Sequence, residues 1–190
     1  MNTQNRYENF KEHYVEELKF FLPQHLEYIN LKKIDIFVDA DDEELAKDIL
    51  HIVGDDNEDF LFNLDAMYKM FQKEGALEVQ DEIIERLRYE HFKNVLAKKL
   101  NEFLPLIFKE YDFSICKEDI TICNTLQQVE VLRITGDSRV FPSIGIGMLY
   151  VDYEYDDDCS YMLKDILDFI NQNVPDKKCI PANSTIKVGA

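Results

Sequence analysis

The stretch VFPSIGIGMLYVDYEYDDDCSYMLKDILDFI, residues 140–170, decides the fold that the sequence predicts. Its first half alternates apolar side chains with smaller neighbours, a period of two that is typical of a β-strand. The alternating residues are Ile144, Ile146, Met148 and Tyr150. Proline has no amide donor and suits the start of a strand, so we expect the strand to begin near Pro142. From Met162 the apolar residues take a helical spacing, which predicts a helix.

Two glycines, Gly145 and Gly147, fall on one face of this predicted strand. A glycine inside a strand marks a bulge or a close approach of another backbone. We therefore expect a bulge or a tightly packed neighbour at this position.

Five carboxylates separate the predicted strand from the predicted helix. They are Asp152, Glu154, Asp156, Asp157 and Asp158. One or two of them could cap the free amides of the first helical turn, where the helix dipole is positive. The others repel one another unless a cation or a basic partner is bound there.

The acidity of the chain is concentrated in two places. The formal net charge is −17 over 190 residues. Residues 39–59 contain ten acids and one lysine, and residues 150–168 contain seven acids and one lysine. A surface of this kind repels nucleic acid and anionic membranes and attracts basic proteins.

Outside these regions, the periodicity predicts an α+β protein whose helices pack on a small, mostly antiparallel sheet. Helices are expected at residues 7–22, 41–53, 59–73 and 76–104, the last as one helix or two. Strands are expected at residues 31–38, 113–116, 119–123 and 129–134. We expect one compact unit, with a mainly helical half at 1–75, a helix, β-meander and helix at 76–174, and a flexible tail at 175–190.

Two segments of the chain resemble each other. YENFKEHYVEELKFFLP, residues 7–23, and YEHFKNVLAKKLNEFLP, residues 89–105, agree at eight of seventeen positions. Helices of similar composition share some residues by chance, but both copies end in the same Phe-Leu-Pro, which favours an internal duplication. The first half would then be a degenerate copy that has lost strands. The acidic turn at 39–44 would correspond to the one at 152–158, each joining a strand to a helix.

The second half also resembles an uncharacterised bacterial domain family of unknown function. The similar features are a helix ending in FLP, strands, the Pro142 to Tyr155 segment with its acidic, tyrosine-rich end, and the helix MLKDILDFI. They cover about half of the chain, and Gly145 and Gly147 depart from the pattern. The resemblance implies the same α+β fold and implies no activity.

Motifs of known chemistry are missing from the sequence. The four cysteines form no CxxC pair, and the four histidines have no metal-ligand spacing to them. No P-loop, dinucleotide fingerprint, GxSxG or HExxH motif occurs. Two segments superficially match a calcium loop, beginning at Asp39 and at Asp152. Both lack its glycine and its final glutamate. We therefore expect no cofactor, no dedicated metal site and no enzyme.

The acidic clusters therefore indicate a binding protein. Carboxylates spaced along a surface can imitate the phosphates of nucleic acid, and tyrosines add the rigid aromatic area that interfaces favour. We expect a non-enzymatic inhibitor that occupies the basic nucleic-acid-binding surface of a partner protein, as anti-CRISPR and anti-restriction proteins do. The predicted partner-binding residues are Asp152, Tyr153, Glu154, Tyr155, Asp156, Asp157, Asp158, Asp39, Asp41, Asp42, Glu43 and Glu44.

The alternative function is a metal-dependent enzyme, or a cation-binding protein, that uses the carboxylates of residues 152–158. No apolar run approaches the ~20 residues of a membrane span, and the N-terminal residues lack the apolar core of a signal peptide. We therefore expect a cytoplasmic protein that binds neither a membrane nor nucleic acid directly. The sequence does not indicate an oligomeric state.

Overall fold

The fold is α+β, as predicted, with antiparallel sheets and helices packed on them. In this computed structural model the described residues are 3–26, 29–39, 47–54, 58–122, 125–155 and 159–173. The expected flexible tail, residues 175–190, lies outside them. The chain divides into two compact units, Met1–Asn94 and Val95–Ala190, where we expected one unit and a division near residue 75.

Unit 1 is built on a three-stranded antiparallel meander. It contains α1 (Thr3–His25), β1 (Lys33–Asp39), β2 (Lys47–Val53), β3 (Asp59–Asn63) and α2 (Leu64–Glu74). Strand β2 lies in the middle, with Leu50 opposite both Ile36 and Phe62. The long helix α3 (Ala76–Phe103) begins in this unit and is continuous across the boundary at residue 94, so residues 76–103 form one helix and not two.

The core of unit 1 lies between the sheet and its helices. Alternation along the strands places Leu50, Ile52 and Phe62 on the inner face, where they are buried. Leu18 and Leu22, one turn apart on α1, are fully buried in the same cluster. The helix continues through Pro23 to His25, beyond the end that we expected at Leu22.

Of the helices predicted at 41–53 and 59–73, the described part of the first is a strand, and the second begins five residues later than expected. Residues 47–53, expected in an acidic helix at 41–53, form β2, while residues 40–46 lie outside the described part of the chain. Residues 59–63, expected at the start of a helix at 59–73, form β3. The helix begins after Asn63, whose side-chain oxygen accepts the amide hydrogen of Ala66 at 2.9 Å. The first half therefore contains a three-stranded sheet as well as the helices α1 and α2. A short apolar run fits the period of a helix as well as that of a strand. Residues 47–53 form a strand because they pair with β1.

Unit 2 is built on a long hairpin. Strands β4 (Tyr111–Ile122) and β5 (Thr125–Gly136) pair over their full length, so the two short strands expected at 113–116 and 119–123 are one. The other edge of β5 pairs with β6 (Arg139–Val140) and β7 (Ile144–Gly145). Helices α4 (Ile146–Tyr155) and α5 (Ser160–Gln172) follow, and α5 confirms the helix predicted from Met162.

The strand predicted from Pro142 to Tyr150 is present only at Ile144–Gly145, as β7, and is wrong beyond it, because residues 146–155 form α4. Ile146 and Leu149, three residues apart, are buried, whereas Met148 is 73% exposed. This is a helical pattern of burial and not an alternating one. The expected close approach at Gly145 and Gly147 is also wrong, since no neighbouring atom lies within 4 Å of a Cβ built on either residue.

The structure changes the basis of the proposed duplication. Both units have the order helix, antiparallel meander, helix, so the first half has not lost its strands. The two acidic turns do not correspond, because residues 40–46 connect two strands and residues 156–159 connect two helices. The duplication itself stays a prediction.

Packing around Gly136 generates a test of unit 2. A Cβ at Gly136 would lie 2.5 Å from the ring of Phe108, whereas Gly147 has open space around it. We expect Gly136→Ala to lower the free energy of unfolding by about 1–3 kcal/mol through overpacking. Gly147→Ala should raise it by roughly 0.5 kcal/mol, because alanine favours the helix. Urea unfolding measures both, and a loss of stability in Gly147→Ala would contradict a helical α4.

A polar contact anchors α1 to the end of β2. The Tyr7 hydroxyl and the Lys11 ammonium group both donate to Asp48 Oδ2, at 2.9 and 3.0 Å. Burial and hydrogen bonds to Asp65 and Asp48 raise the pKa of Tyr7, so its hydroxyl remains a donor at neutral pH. The Asp48 side chain is only 18% exposed, whereas Glu8, the second partner of Lys11, is 54% exposed.

Because Asp48 is less exposed than Glu8, we expect neutralising Asp48 to lower stability more than neutralising Glu8. Asp48→Asn should lower the free energy of unfolding by about 1–2 kcal/mol, because it weakens two charge-assisted hydrogen bonds away from water. Glu8→Gln should cost less than about 0.5 kcal/mol, because exposed ion pairs contribute little. Thermal unfolding of both variants checks this, and equal losses would contradict an anchoring role for Asp48.

Candidate partner-binding surface

The structure describes five of the twelve predicted partner-binding residues. Asp39 is the last residue of β1, is exposed and lies opposite Lys47 in unit 1. Asp152, Tyr153, Glu154 and Tyr155 lie at the C-terminal end of α4 in unit 2. The other seven lie outside the described residues: Asp41, Asp42, Glu43, Glu44, Asp156, Asp157 and Asp158. Of the predicted site, the structure therefore describes one group of neighbouring residues, at the end of α4, and the separate Asp39.

The side chains of α4 point in different directions. Glu154 is exposed, whereas Asp152 and Tyr153 are half-buried. Residues two apart on a helix do not face each other, so Asp152 and Glu154 do not form a chelating pair. In the part of the chain that the structure describes, no group of three or more His, Cys, Asp or Glu residues is arranged to hold a metal ion.

Asp152 instead faces a carboxylate of α5. Burial raises the pKa of Asp152, and Asp165, which is close enough to interact through a hydrogen bond, raises it further by repulsion. We call Asp152, Glu154 and Asp165 the carboxylate cluster. Asp165 was not among the predicted site residues. It lies on a different helix from Asp152, so only the packing of α4 against α5 brings the two carboxylates together.

The helix dipole adds to this repulsion. The C-terminal end of a helix carries a partial negative charge, which favours basic residues and disfavours acids. The last turn of α4 has no basic residue, and Asp152 and Glu154 lie near it. No ion pair to any member of the carboxylate cluster occurs among the described residues. The cluster is an electrostatically unfavourable arrangement that a cationic group would relieve.

The outward face of α4 is apolar. Met148 is 73% exposed and Val151 49%, and both share this face with Gly147 and Glu154. The sequence prediction missed this face because an alternating strand assigns Met148 to the inside. A period of 3.6 applied to the same residues would have found it.

Unit 1 has an acidic surface on α1 that counting the charges along the sequence did not reveal. Its outer α1 face has a depression of about 590 Å³ lined by Glu12, His13, Glu16, Glu17 and Phe20. Lys19 pairs with Glu16 at 2.7 Å on the exposed side of the helix. The basic and acidic residues of α1 nearly cancel in number, but the depression is lined only by acids, a histidine and Phe20.

His51 is the histidine with the most defined polar surroundings. On the outer face of the unit 1 sheet, its ring nitrogens lie 3.4 Å from Asp35 Oδ1 and 2.8 Å from Asp59 Oδ1. These contacts connect β2 to both neighbouring strands. Polar cross-strand contacts of this kind account for them as structural contacts.

Comparison with protein-family models, with curated proteins and with solved structures finds no match to this chain. The resemblance of the second half to a bacterial domain family therefore stays a prediction. Among the described helices, none is long and apolar enough to cross a membrane.

The carboxylate cluster predicts a specific effect of Asp165→Asn. Because the folded pKa of Asp152 is raised above its ordinary 3.8, its contribution to stability is full below that pH and is lost as pH rises through the folded pKa. Removing the Asp165 charge should lower the Asp152 pKa and raise stability at pH 7 by roughly 0.5 kcal/mol, with the gain disappearing near pH 3.

Asp168→Asn is the matched control, since it removes an exposed carboxylate one turn further along α5. A carboxyl-detected NMR titration of Asp152 should show a lower pKa in Asp165→Asn only. The same shift in both variants would mean that net charge, and not the neighbouring carboxylate, raises this pKa.

Proposed function

We propose that this protein is a non-enzymatic binding protein whose acidic surface on unit 2 engages a basic surface of another protein. The observation that carries this proposal is the carboxylate cluster at the end of α4. Asp152 and Asp165 repel each other where the helix dipole is also negative, and the raised pKa of Asp152 reflects the burial and the repulsion. A bound cationic group would offset the repulsion between the two carboxylates and the negative end of the helix dipole.

The surrounding charge supports a protein partner. With a net charge of −17 the chain repels polyanions at long range, so nucleic acid and anionic membranes are disfavoured as ligands. Basic protein surfaces are attracted, and their association is accelerated by the same field. Surfaces of that kind commonly bind nucleic acid through its phosphates. The finer proposal is therefore an inhibitor that covers such a surface in a cytoplasmic, nucleic-acid-handling protein.

The alternative, a metal-dependent enzyme using residues 152–158, has less support. The described members Asp152 and Glu154 point to different sides of α4, so the spacing that resembled a calcium loop does not bring them together. Asp156, Asp157 and Asp158 lie outside the described residues. Real metal binding would raise the melting temperature at millimolar magnesium, calcium or manganese through linkage.

A charge-matched pair of variants tests the proposal. The site variant neutralises the carboxylate cluster as Asp152→Asn, Glu154→Gln and Asp165→Asn. The control variant removes the same three charges from the exposed side of α3 in unit 1, as Glu78→Gln, Asp81→Asn and Glu82→Gln. Native protein and both variants are immobilised and exposed to a nuclease-treated bacterial lysate.

We expect a basic nucleic-acid-binding protein to be retained by the native protein and by the control variant. The site variant should lose it, and added nucleic acid or high salt should release it, because phosphates and ions compete for the same basic groups. Equal retention by the native protein and the site variant would contradict the proposal. Retention of no basic protein by any of the three would contradict it as well.

A further inference from the structure

The outward face of α4 carries an apolar surface beside the carboxylate cluster. Met148 and Val151 are three residues apart, so their side chains are neighbours along one stripe of the helix. Gly147 adjoins them and has no atom within 4 Å of its Cβ position. A backbone could therefore approach this stripe closely. Contiguous exposed apolar side chains are a common feature of interaction surfaces.

The inward face of α4 is already occupied. Ile146 and Leu149 are fully buried, and α4 packs against α5 and β5 on that side. The helix is therefore apolar on two sides, whereas a surface helix of a globular protein usually has one apolar face. Folding of unit 2 accounts for the buried side and leaves Met148 and Val151 without a structural role.

We propose that the outward face of α4 docks an amphipathic, lysine- or arginine-rich helix of the partner protein. This rests on the function proposed above. The apolar side of such a helix would cover Met148 and Val151, with Gly147 permitting close contact between the backbones. Its basic side chains would reach Glu154 on the same face and Asp152 and Asp165 at its edge, where their charge offsets the carboxylate repulsion and the helix dipole.

Charge complementarity selects this partner over other occupants of an apolar face. A second copy of the chain would bring a second carboxylate cluster and an equal net charge, which repels. An anionic membrane is repelled for the same reason. A basic surface without apolar side chains would leave Met148 and Val151 in water and gain nothing from them. The stripe therefore adds specificity to an attraction that charge alone would make general.

Two labelled peptides test the proposal on the full-length protein. One is a helical peptide of about 18 residues, or five turns, with leucine and lysine at amphipathic spacing. The other has the same composition in a scrambled order that removes the apolar face. Fluorescence anisotropy gives the Kd of each peptide at several salt concentrations. We expect the amphipathic peptide to bind at least about tenfold more tightly than the scrambled one.

The variants separate apolar from electrostatic contributions. Met148→Ser with Val151→Ser should weaken binding of the amphipathic peptide roughly tenfold and leave its salt dependence and the scrambled peptide unchanged. Val151→Lys alone should weaken it further through repulsion. The control, Leu106→Ser with Leu126→Ser, removes two other exposed apolar side chains of unit 2 and should change nothing. Asp152→Asn, Glu154→Gln and Asp165→Asn together should weaken both peptides and reduce the salt dependence.

Each failure has a distinct outcome. Equal affinity for the two peptides, or an amphipathic-peptide Kd unaffected by Met148→Ser with Val151→Ser, would overturn docking on α4 while leaving an acidic binding protein in place. If neutralising the carboxylate cluster changes the Kd of neither peptide, the proposed function fails as well. Thermal unfolding of each variant shows that it is folded, since all of the apolar substitutions are at exposed positions.

Discussion

Unit 1 depends on the burial of one face of its three-stranded sheet against α1. A sheet with one apolar face must bury that face against another element, and in unit 1 helices cover it. Leu50 and Ile52 of the central strand and Leu18 and Leu22 of α1 are all fully buried. Fixing these positions also fixes the strand register, because a slip of one residue would expose both β2 side chains. Hydrogen bonds from Tyr7 and Lys11 to Asp48 add polar contacts between α1 and β2.

Unit 2 satisfies the same constraint with a different balance of elements. Its long hairpin is covered in the region where β7 pairs with β5 and α4 contacts β5, and Val131, Leu132 and Ile134 are buried there. At the beginning of β5, residues 125–128 are exposed. Packing therefore stabilises one end of the hairpin, and hydrogen bonds between the two strands maintain the other. Met148 and Val151, on another side of α4, are exposed.

The carboxylate cluster shows how stability and binding can oppose each other. Residues that lower local stability persist only when they serve another purpose or are offset elsewhere. A raised Asp152 pKa and acids at the negative end of α4 are unfavourable in the free protein. A cationic partner would reverse the sign of both effects, so the same side chains would favour the complex. This gives a physical reason for placing acids there instead of elsewhere on an already acidic surface.

Some features of the protein followed from the sequence alone. The α+β class, the helices α1, α3 and α5, the strand β1 and the acidity of the chain follow from periodicity, helix length and composition, which are local properties. Long helices such as α3 are identified reliably because many residues repeat one pattern. The terminal Phe-Leu-Pro after residue 20 did not end α1, since packing of Leu22 and Leu26 outweighed the loss of one hydrogen bond.

Tertiary structure decided whether the short and ambiguous segments became helices or strands. Residues 47–53 became a strand because β1 and β3 pair with both of its edges, which no local pattern encodes. Residues 146–155 became a helix because burying Ile146 and Leu149 against β5 and α5 outweighed an alternation interrupted by glycines. That choice placed Met148 and Val151 outside and Asp152 beside Asp165. The sequence determined that carboxylates and apolar residues are adjacent in the chain, and only packing decided which of them meet on one surface.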